Sequence, residues 1–249
     1  MNTSRFQPFF SFLIISILFS SCHLGPGTKK GNGNITSEDY QIDDFNVLRI
    51  GGNYTLRLIA GEKNMVVVET DENLIPYINV EVQDKKLSIN NVHKINSVRG
   101  VHINVFYKEV NKIFSMGASV IEHDGILRTD KLLIDLSGSG GINLEIDADE
   151  LEVILSGAGI VKLSGKVNSQ NLILSGAGAL QASKLESETC RISLNGIGGA
   201  EIYVTNELEA SVNGIGGIKY GGNPKLVTRN VSGLGKISQD DSFSKEVKN

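Results

Sequence analysis

The sequence predicts an all-β protein built as a parallel β-solenoid with coils of about 19 residues. Three observations predict it. A short phrase, Ser/Asn-Gly-x-Gly, occurs six times, and its copies start 19, 19, 20, 18 and 19 residues apart. Apolar residues recur at fixed positions around each copy, and their spacing within a coil is mostly two, as in a strand. No stretch has the pattern of an amphipathic helix. The copies begin at Ser137, Ser156, Ser175, Asn195, Asn213 and Ser232.

The apolar positions form columns when the copies are aligned on their first residue. The residues one, three and five positions before it, and five after it, are apolar with few exceptions. In a solenoid each such column stacks on the coil below at about 4.8 Å and fills the core. An antiparallel sandwich would have no reason to keep the same columns at a constant period. Gln170 and Arg229 break the inward columns, and Arg229 falls in the last copy, where a charged side chain can reach water. Cys190 lies in an inward column, which predicts a core side chain.

The glycines and the polar residue of each phrase predict the corners of the coil. We expect the glycines to take the positive φ that a β-branched residue would not accept. The Ser and Asn residues should then stack in a polar ladder, in which they satisfy one another and the backbone of the turn. Ser115–Ser119 resembles a degenerate earlier copy of the phrase.

The first 21 residues have the pattern of an export signal. Arg5 precedes an apolar run from Phe9 to Phe19, which is too short to span a bilayer as a helix. Leu18 to Cys22 resembles a bacterial lipobox, although Phe19 is unusual three positions before the cysteine. We therefore predict that Cys22 is lipidated and becomes the first mature residue, in preference to an ordinary secretory signal.

The remaining chain divides into a tether, a β domain and a tail. Residues 22–44 are rich in Gly, Asn and Lys near their start and are expected to form a flexible tether. Lys29 and Lys30 within it could meet anionic lipid, but two charges are weak evidence. Residues 45–239 form the predicted domain, which begins with a β-rich section of alternating strands. Residues 240–249 are polar and should form an end cap or a frayed tail.

The repeats and the N-terminal section together resemble one known family. The residues that carry the resemblance are Ile50–Leu56, the segment Glu69–Ile78, which includes Asp-Glu-Asn-Leu, and the Ser/Asn-Gly-x-Gly series. They are similar to the bacterial head GIN domain, the auto-transporter adhesin family DUF2807, over about residues 45–236. The resemblance implies a right-handed β-helix in an envelope lipoprotein. The family supplies no catalytic residues to carry over.

Several function classes are disfavoured by composition and spacing. The formal net charge is −4, so a nucleic-acid partner is not expected. The Gly-x-Gly phrases lead into strands, whereas a phosphate loop precedes a helix. The glycine turns lack the Asp of calcium-binding repeats, and the four histidines have no metal-ligand spacing. No cofactor or metal is predicted.

The predicted function is that of a non-enzymatic, lipid-anchored envelope protein that binds a glycan or another protein through a solenoid face. Its partners would be the membrane, through Cys22, and an envelope polymer. The alternative is a polysaccharide-active enzyme, lyase-like or hydrolase-like, with an acidic site around Asp135 and Asp147 and with Arg128 and Lys131 nearby. A structural spacer without a ligand is a third possibility. No acidic export signal follows Cys22, which favours an outer-membrane lipoprotein facing the periplasm and leaves surface exposure open.

Overall fold

The structure, a computed structural model, describes residues 27–245. The predicted signal peptide and Cys22 lie outside the described residues. The described chain forms strands and two short 3₁₀ helices, Glu72–Tyr77 and Asp241–Lys245. The strands are β1 (Lys29–Lys30), β2 (Ile35–Gln41), β3 (Val47–Gly51), β4 (Thr55–Ala60), β5 (Met65–Asp71), β6 (Ile78–Gln83), β7 (Lys86–Asn91), β8 (Ile95–Asn96), β9 (His102–Tyr107), β10 (Lys112–Ser115), β11 (Val120–Leu136), β12 (Gly141–Leu155), β13 (Ile160–Leu174), β14 (Ala177–Leu194), β15 (Ile197–Val212), β16 (Ile215–Gly221), β17 (Leu226–Val231) and β18 (Leu234–Gln239).

The strands stack in two rows, which confirms the β-solenoid. Row A holds the strand segments that precede each glycine corner, in the order β7, β3, β10, the second halves of β11 to β15, and β17. Row B holds the segments that follow each corner, in the order β2, β5, β9, β4, the first halves of β11 to β15, β16 and β18. Every pairing from β10 onward is parallel. The register is continuous along row A, whereas β-bulges shift it in row B between β11 and β12, β13 and β14, and β14 and β15.

The core lies between the two rows and is filled by the predicted columns. Along β12 the buried side chains are Ile142, Leu144, Ile146 and Ala148, and then Leu151, Val153 and Leu155. The alternation shifts at positions 149 and 150, because the strand bends there from row B into row A. Gln170 of row A donates from Nε2 to the Ser187 hydroxyl of row B over 2.8 Å, so a buried polar contact joins the two rows beside the bend.

The first glycine of each phrase has a different role from the one the sequence predicted. Among the repeat phrases, only Gly198 and Gly216 have a positive φ. A Cβ on Gly157 would instead lie 1.8 Å from the carbonyl oxygen of Gly138 in the coil below. The same close approach recurs at Gly138, Gly176, Gly196, Gly214 and Gly233. Glycine is therefore required because adjacent coils touch backbone to backbone at this corner, and not because of its φ.

The column of corner glycines extends beyond the six phrases. A Cβ on Gly117 would meet the carbonyl oxygen of Gly52, so Gly52 lies directly below Gly117 in the stack. The Ser119 hydroxyl donates to the same oxygen over 3.0 Å and accepts from the Tyr54 amide. The segment Ser115–Ser119 is thus a true corner, as predicted. Gly52, within the sequence Gly51-Gly52-Asn53, is a further corner of the same stack.

Residues 27–44 are not a flexible tether over their described length, and that prediction is wrong there. β1 pairs with β8, and β2 pairs with β5 in antiparallel register from Ile35 to Gln41. The low apolar content of the segment misled the prediction, because backbone pairing and polar side-chain contacts hold it in place. β2 closes the N-terminal end of row B, and antiparallel β6 closes the same end of row A.

The C-terminal end is closed by a short cap. The 3₁₀ helix Asp241–Lys245 places Phe243, which is buried, against Gly221 of β16. Arg229 is exposed in β17, as predicted, and its guanidinium lies over the Tyr220 ring at 5.1 Å from the centroid. The predicted tail of residues 240–249 therefore acts as an end cap where it is described.

A polar groove on row A as the candidate functional site

A groove of about 800 Å³ runs along the outer face of row A. It lies beside the bend from row B into row A, at the opposite end of the row A strands from the glycine corners. Two outward columns, one on each side of an inward column, line it. The first column is Lys131, Glu150, Ser169, Thr189 and Glu207. The second is Lys112, Leu133, Glu152, Asn171, Arg191 and Glu209. The first column spans five coils, or about 19 Å at the spacing of stacked strands.

The charges of the groove are mixed and partly paired. Lys131 Nζ lies 2.9 Å from Glu150 Oε2, and this hydrogen bond raises the pKa of Lys131. Arg191 binds Glu209 at 2.8 Å. These side chains are more than half exposed, so each pair contributes little to stability and stays available to a partner. Donors and acceptors thus follow each other along the groove at the coil repeat.

The structure does not bring Asp135 and Asp147 into one site. Asp135 lies in row A, between Phe114 and Ile154 of the neighbouring coils. Asp147 lies in row B, 3.8 Å from Arg128. Both side chains point outward from rows that face each other, so they point away from one another. Burial raises the pKa of Asp135, whose Oδ1 has no hydrogen-bond partner. A raised pKa would suit a general acid, but Asp147, the carboxylate expected to work with it, lies on the other row.

The corner residues lie in one stacked column at the surface. Asn213 Nδ2 donates to Asn195 Oδ1 over 2.9 Å, and the Ser232 hydroxyl donates to Asn213 Oδ1 over 2.6 Å. A ladder of side-chain hydrogen bonds therefore links the last three copies. The serines of the first three copies are exposed; they are Ser137, Ser156 and Ser175.

An apolar ridge stands next to this ladder. The third residue of each phrase points outward, and in the last copies it is Ile197, Ile215 and Leu234, which are stacked in register and 60%, 51% and 79% exposed. Ala177 continues the ridge on the preceding coil. The sequence analysis did not single out this ridge. The signal was the change from Ser and Ala to Ile and Leu at that position along the repeats.

Residues 27–245 contain neither a cluster of metal ligands nor an exposed thiol. No three His, Cys, Asp or Glu side chains of that range converge on a point where an ion could be held. Cys190 is buried in the core as predicted, and burial raises the pKa of its thiol. Within the same range, no helix has both the length and the apolar character needed to cross a bilayer.

A family model matches residues 44–224, which is most of the chain, and its description reads "putative auto-transporter adhesin, head GIN domain". The chain belongs to the DUF2807 family. This confirms the resemblance seen in the sequence, and the family description names no enzyme. Among curated proteins, none matches the chain.

Solved structures share the fold of this DUF2807 chain. A "putative adhesin" from Bacteroides fragilis has a TM-score of 0.82 at 24% identity, covering 85% of this chain and 99% of its own. A "putative adhesin" from Parabacteroides merdae has a TM-score of 0.67 at 24% identity, covering 86% and 100%. A "putative lipid binding protein" from Parabacteroides distasonis has a TM-score of 0.72 at 21% identity, again covering 86% and 100%. At these identities the likeness shows the fold alone.

The Asp-Glu-Asn segment that carried the DUF2807 resemblance holds the start of the described chain. Asp71 Oδ1 accepts from the Gly33 amide over 2.6 Å, and Glu72 accepts from the side chains of Asn32 and Asn34. Asn73 accepts from the Asn32 amide over 3.0 Å and donates to the Lys30 carbonyl over 2.8 Å. These contacts were not predicted from the sequence, in which the segment carried only the family resemblance. Its three consecutive polar residues were the available signal.

Proposed function

We propose that this chain is a non-enzymatic binding module of the bacterial cell envelope. A lipid on Cys22 holds it on the membrane, and an extended polymer, a glycan or a protein chain, binds in the groove of row A. Membership of a family described as an adhesin supports a protein of the cell envelope or surface. The lipobox-like sequence before Cys22 and the export signal support an outer-membrane lipoprotein that faces the periplasm.

The groove is the observation that carries the proposal. Its polar side chains repeat from coil to coil, so a linear ligand lying along the stack would meet similar contacts at regular intervals. Ser169, Thr189 and Asn171 supply neutral donors and acceptors, and Lys131 and Arg191 supply positive charge. Polymer binding gains from many weak contacts of this kind, because each one adds to the same residence time. The separation of Asp135 from Asp147 disfavours the enzymatic alternative.

A binding screen tests the groove. The mature chain carrying Cys22→Ser, which keeps it soluble, is screened against arrays of envelope glycans and envelope proteins. The groove variant carries Lys131→Glu and Arg191→Glu, and the matched control carries Lys162→Glu and Lys166→Glu, two exposed lysines on the outer face of row B. We expect the groove variant to lose about tenfold or more in affinity for the ligand found, because two buried polar contacts of the complex are lost, while the control binds normally.

Two outcomes would contradict the groove as the site. One is a ligand that the groove variant binds as tightly as the unchanged protein does. The other is a loss of binding confined to a chain with Ile197→Ser and Ile215→Ser, which would move the site to the apolar ridge. A silent screen on both arrays would favour the structural spacer.

A further inference from the structure

The first described residues and one loop form a small lobe at the N-terminal end of the stack. This N-terminal lobe consists of residues 27–34 and 92–100. Its two parts are joined as a short parallel sheet, in which Lys29 pairs with Ile95 and Lys30 with Asn96. The Lys29 amide donates to the Lys94 carbonyl over 2.8 Å, and the Gly31 amide donates to the Asn96 carbonyl over 2.9 Å.

One carboxylate holds both parts of the N-terminal lobe. Asp71 is fully buried; its Oδ1 accepts from the Gly33 amide, and its Oδ2 accepts from the Val98 amide over 3.0 Å. The Ser97 hydroxyl lies 2.5 Å from the same Oδ2. The lobe is therefore fixed to the solenoid, and its outer side chains have a defined place at the surface.

The outer surface of the N-terminal lobe combines positive charge with exposed apolar side chains. Its exposed cations are Lys29, Lys30, Lys94 and Arg99. Val92 and Val98 are 56% and 65% exposed, among the most exposed apolar side chains of residues 27–245. The adjoining carboxylates offset part of this charge: Asp71 is buried and Glu72 is exposed, and four cations against these two anions leave a net charge of +2. Basic and apolar side chains together are what a surface needs to lie on anionic lipid.

The position of the N-terminal lobe along the chain matches this chemistry. Only four residues separate Gly27 from Cys22, and the five residue steps between the two span about 18 Å even when the chain is fully extended. We propose that the N-terminal lobe docks on the anionic phospholipid surface of the membrane that holds the chain. The proposal rests on the lipid anchor proposed above, because a lipid on Cys22 would place the N-terminal end of the stack next to the membrane. Docking would fix the orientation of the solenoid on the membrane. The coils that carry the groove would then lie farther from the membrane than the N-terminal lobe.

A fluorescent probe on the lobe tests the docking. Val98→Cys is labelled with an environment-sensitive dye in the acylated chain, whose Cys22 is blocked by lipid and whose Cys190 is buried. The control carries the dye on Leu234→Cys, which is 79% exposed in the last coil. Both chains are reconstituted in vesicles of phosphatidylglycerol and phosphatidylcholine. We expect a lipid-attached quencher to quench the dye at residue 98 and to leave the dye at residue 234 unchanged.

Charge reversal separates docking from anchoring. In the chain with Lys30→Glu and Lys94→Glu, we expect quenching at residue 98 to fall while the protein stays on the vesicles, because the acyl chain is intact. Lys162→Glu with Lys166→Glu on row B is the matched control and should change nothing. In vesicles of phosphatidylcholine alone, quenching at residue 98 should also fall, because the anionic headgroup is missing.

The proposal is overturned if the dyes at residues 98 and 234 are equally open to a water-soluble quencher in anionic vesicles. It is also overturned if only an acidic envelope protein, and no vesicle, protects residue 98. Failure of the anchor is seen separately, as the absence of acyl mass on Cys22. The soluble Cys22→Ser chain with the same dye then tests the lobe alone, and its binding to anionic vesicles should fall about tenfold on reversal of Lys30 and Lys94.

Discussion

Asp71 shows how much a single side chain does in this molecule. Taking the carboxylate out of water raises the pKa of Asp71, but hydrogen bonds from Ser97, Gly33 and Val98 outweigh that effect and hold the pKa below its usual 3.8. The same three bonds join the N-terminal segment to the loop before β9. Asp71, the last residue of β5, thus holds one end of the fold together.

The depressed pKa predicts how the N-terminal lobe responds to acid. A carboxyl group whose pKa is lower in the folded state stabilises the fold above its unfolded pKa, and this contribution is lost as the pH falls through the folded value. We therefore expect the protection factors of residues 28–34, which are the factors by which exchange is slower than in the unfolded chain at the same pH, to be high at neutral pH and to fall below about pH 4. In Asp71→Asn the same residues should be poorly protected at both pH values. The side-chain nitrogen of the asparagine would place its two hydrogens toward groups that themselves donate hydrogen bonds.

Asp43→Asn, at an exposed position, is the control and should behave as the unchanged protein. A segment that stays equally protected in Asp71→Asn would show that backbone pairing with β5 and β8 is sufficient to hold it.

The element that repeats is the glycine corner between row A and row B. Successive corners approach so closely that the carbonyl oxygen of one occupies the place of a Cβ on the next. The amides of the corner donate to the coil below; for example, the Gly157 amide donates to the Leu136 carbonyl over 3.1 Å. The phrase is therefore a backbone contact repeated along the stack, and only its first position, Ser or Asn, and its third position vary between copies.

This close approach predicts a large difference between two glycines. Gly157→Ala should lower the free energy of unfolding by about 2 to 4 kcal/mol, because the new methyl group would displace the backbone of the coil below. Gly141→Ala is the matched control: its Cβ would lie 3.7 Å from the nearest atom, the Ile160 carbonyl oxygen, an ordinary contact. That variant should stay within about 1 kcal/mol of the unchanged protein. Urea unfolding followed by circular dichroism measures both, and equal midpoints would contradict the close contact.

At the scale of the whole molecule, each coil is stabilised by the coils next to it, and the two terminal coils need a cap on their open side. Each coil contacts mainly its two neighbours, so an end can open without unfolding the middle. Antiparallel β2 and β6 close one end, and Phe243 closes the other by packing on Gly221. Row A ends in β17, whose residues are exposed or half-buried.

Removing the C-terminal cap should therefore loosen one end only. In Phe243→Ala we expect faster hydrogen exchange in β16 and β18 and little change in β11 to β13, because the lost contact lies on the terminal coils. Leu234→Ala, at a side chain that is 79% exposed in the same coil, is the control and should leave exchange as it was. A uniform loss of protection along the stack would mean that the coils unfold as one unit.

The solenoid, its coil length and most of its core could be predicted from the amino-acid sequence. Period and alternation are local properties, and each coil repeats the same requirement, so the inward columns and Cys190 could be assigned without coordinates. The resemblance carried by Ile50–Leu56 and Glu69–Ile78 determined the family.

Which outward side chains share a surface depends on the three-dimensional fold and could not be predicted from the sequence. The groove unites residues that are about 19 positions apart and sit at the bend of each strand, and the place of that bend was not visible in the alternation before the rows were seen. The same holds for Asp135 and Asp147, which are near in sequence and lie on opposite faces. Residues 27–34 were predicted to be a tether because their own sequence contains few apolar side chains. They are held by polar contacts with Asp71, Glu72 and Asn73, some 40 positions away, and such contacts cannot be predicted from a local sequence pattern.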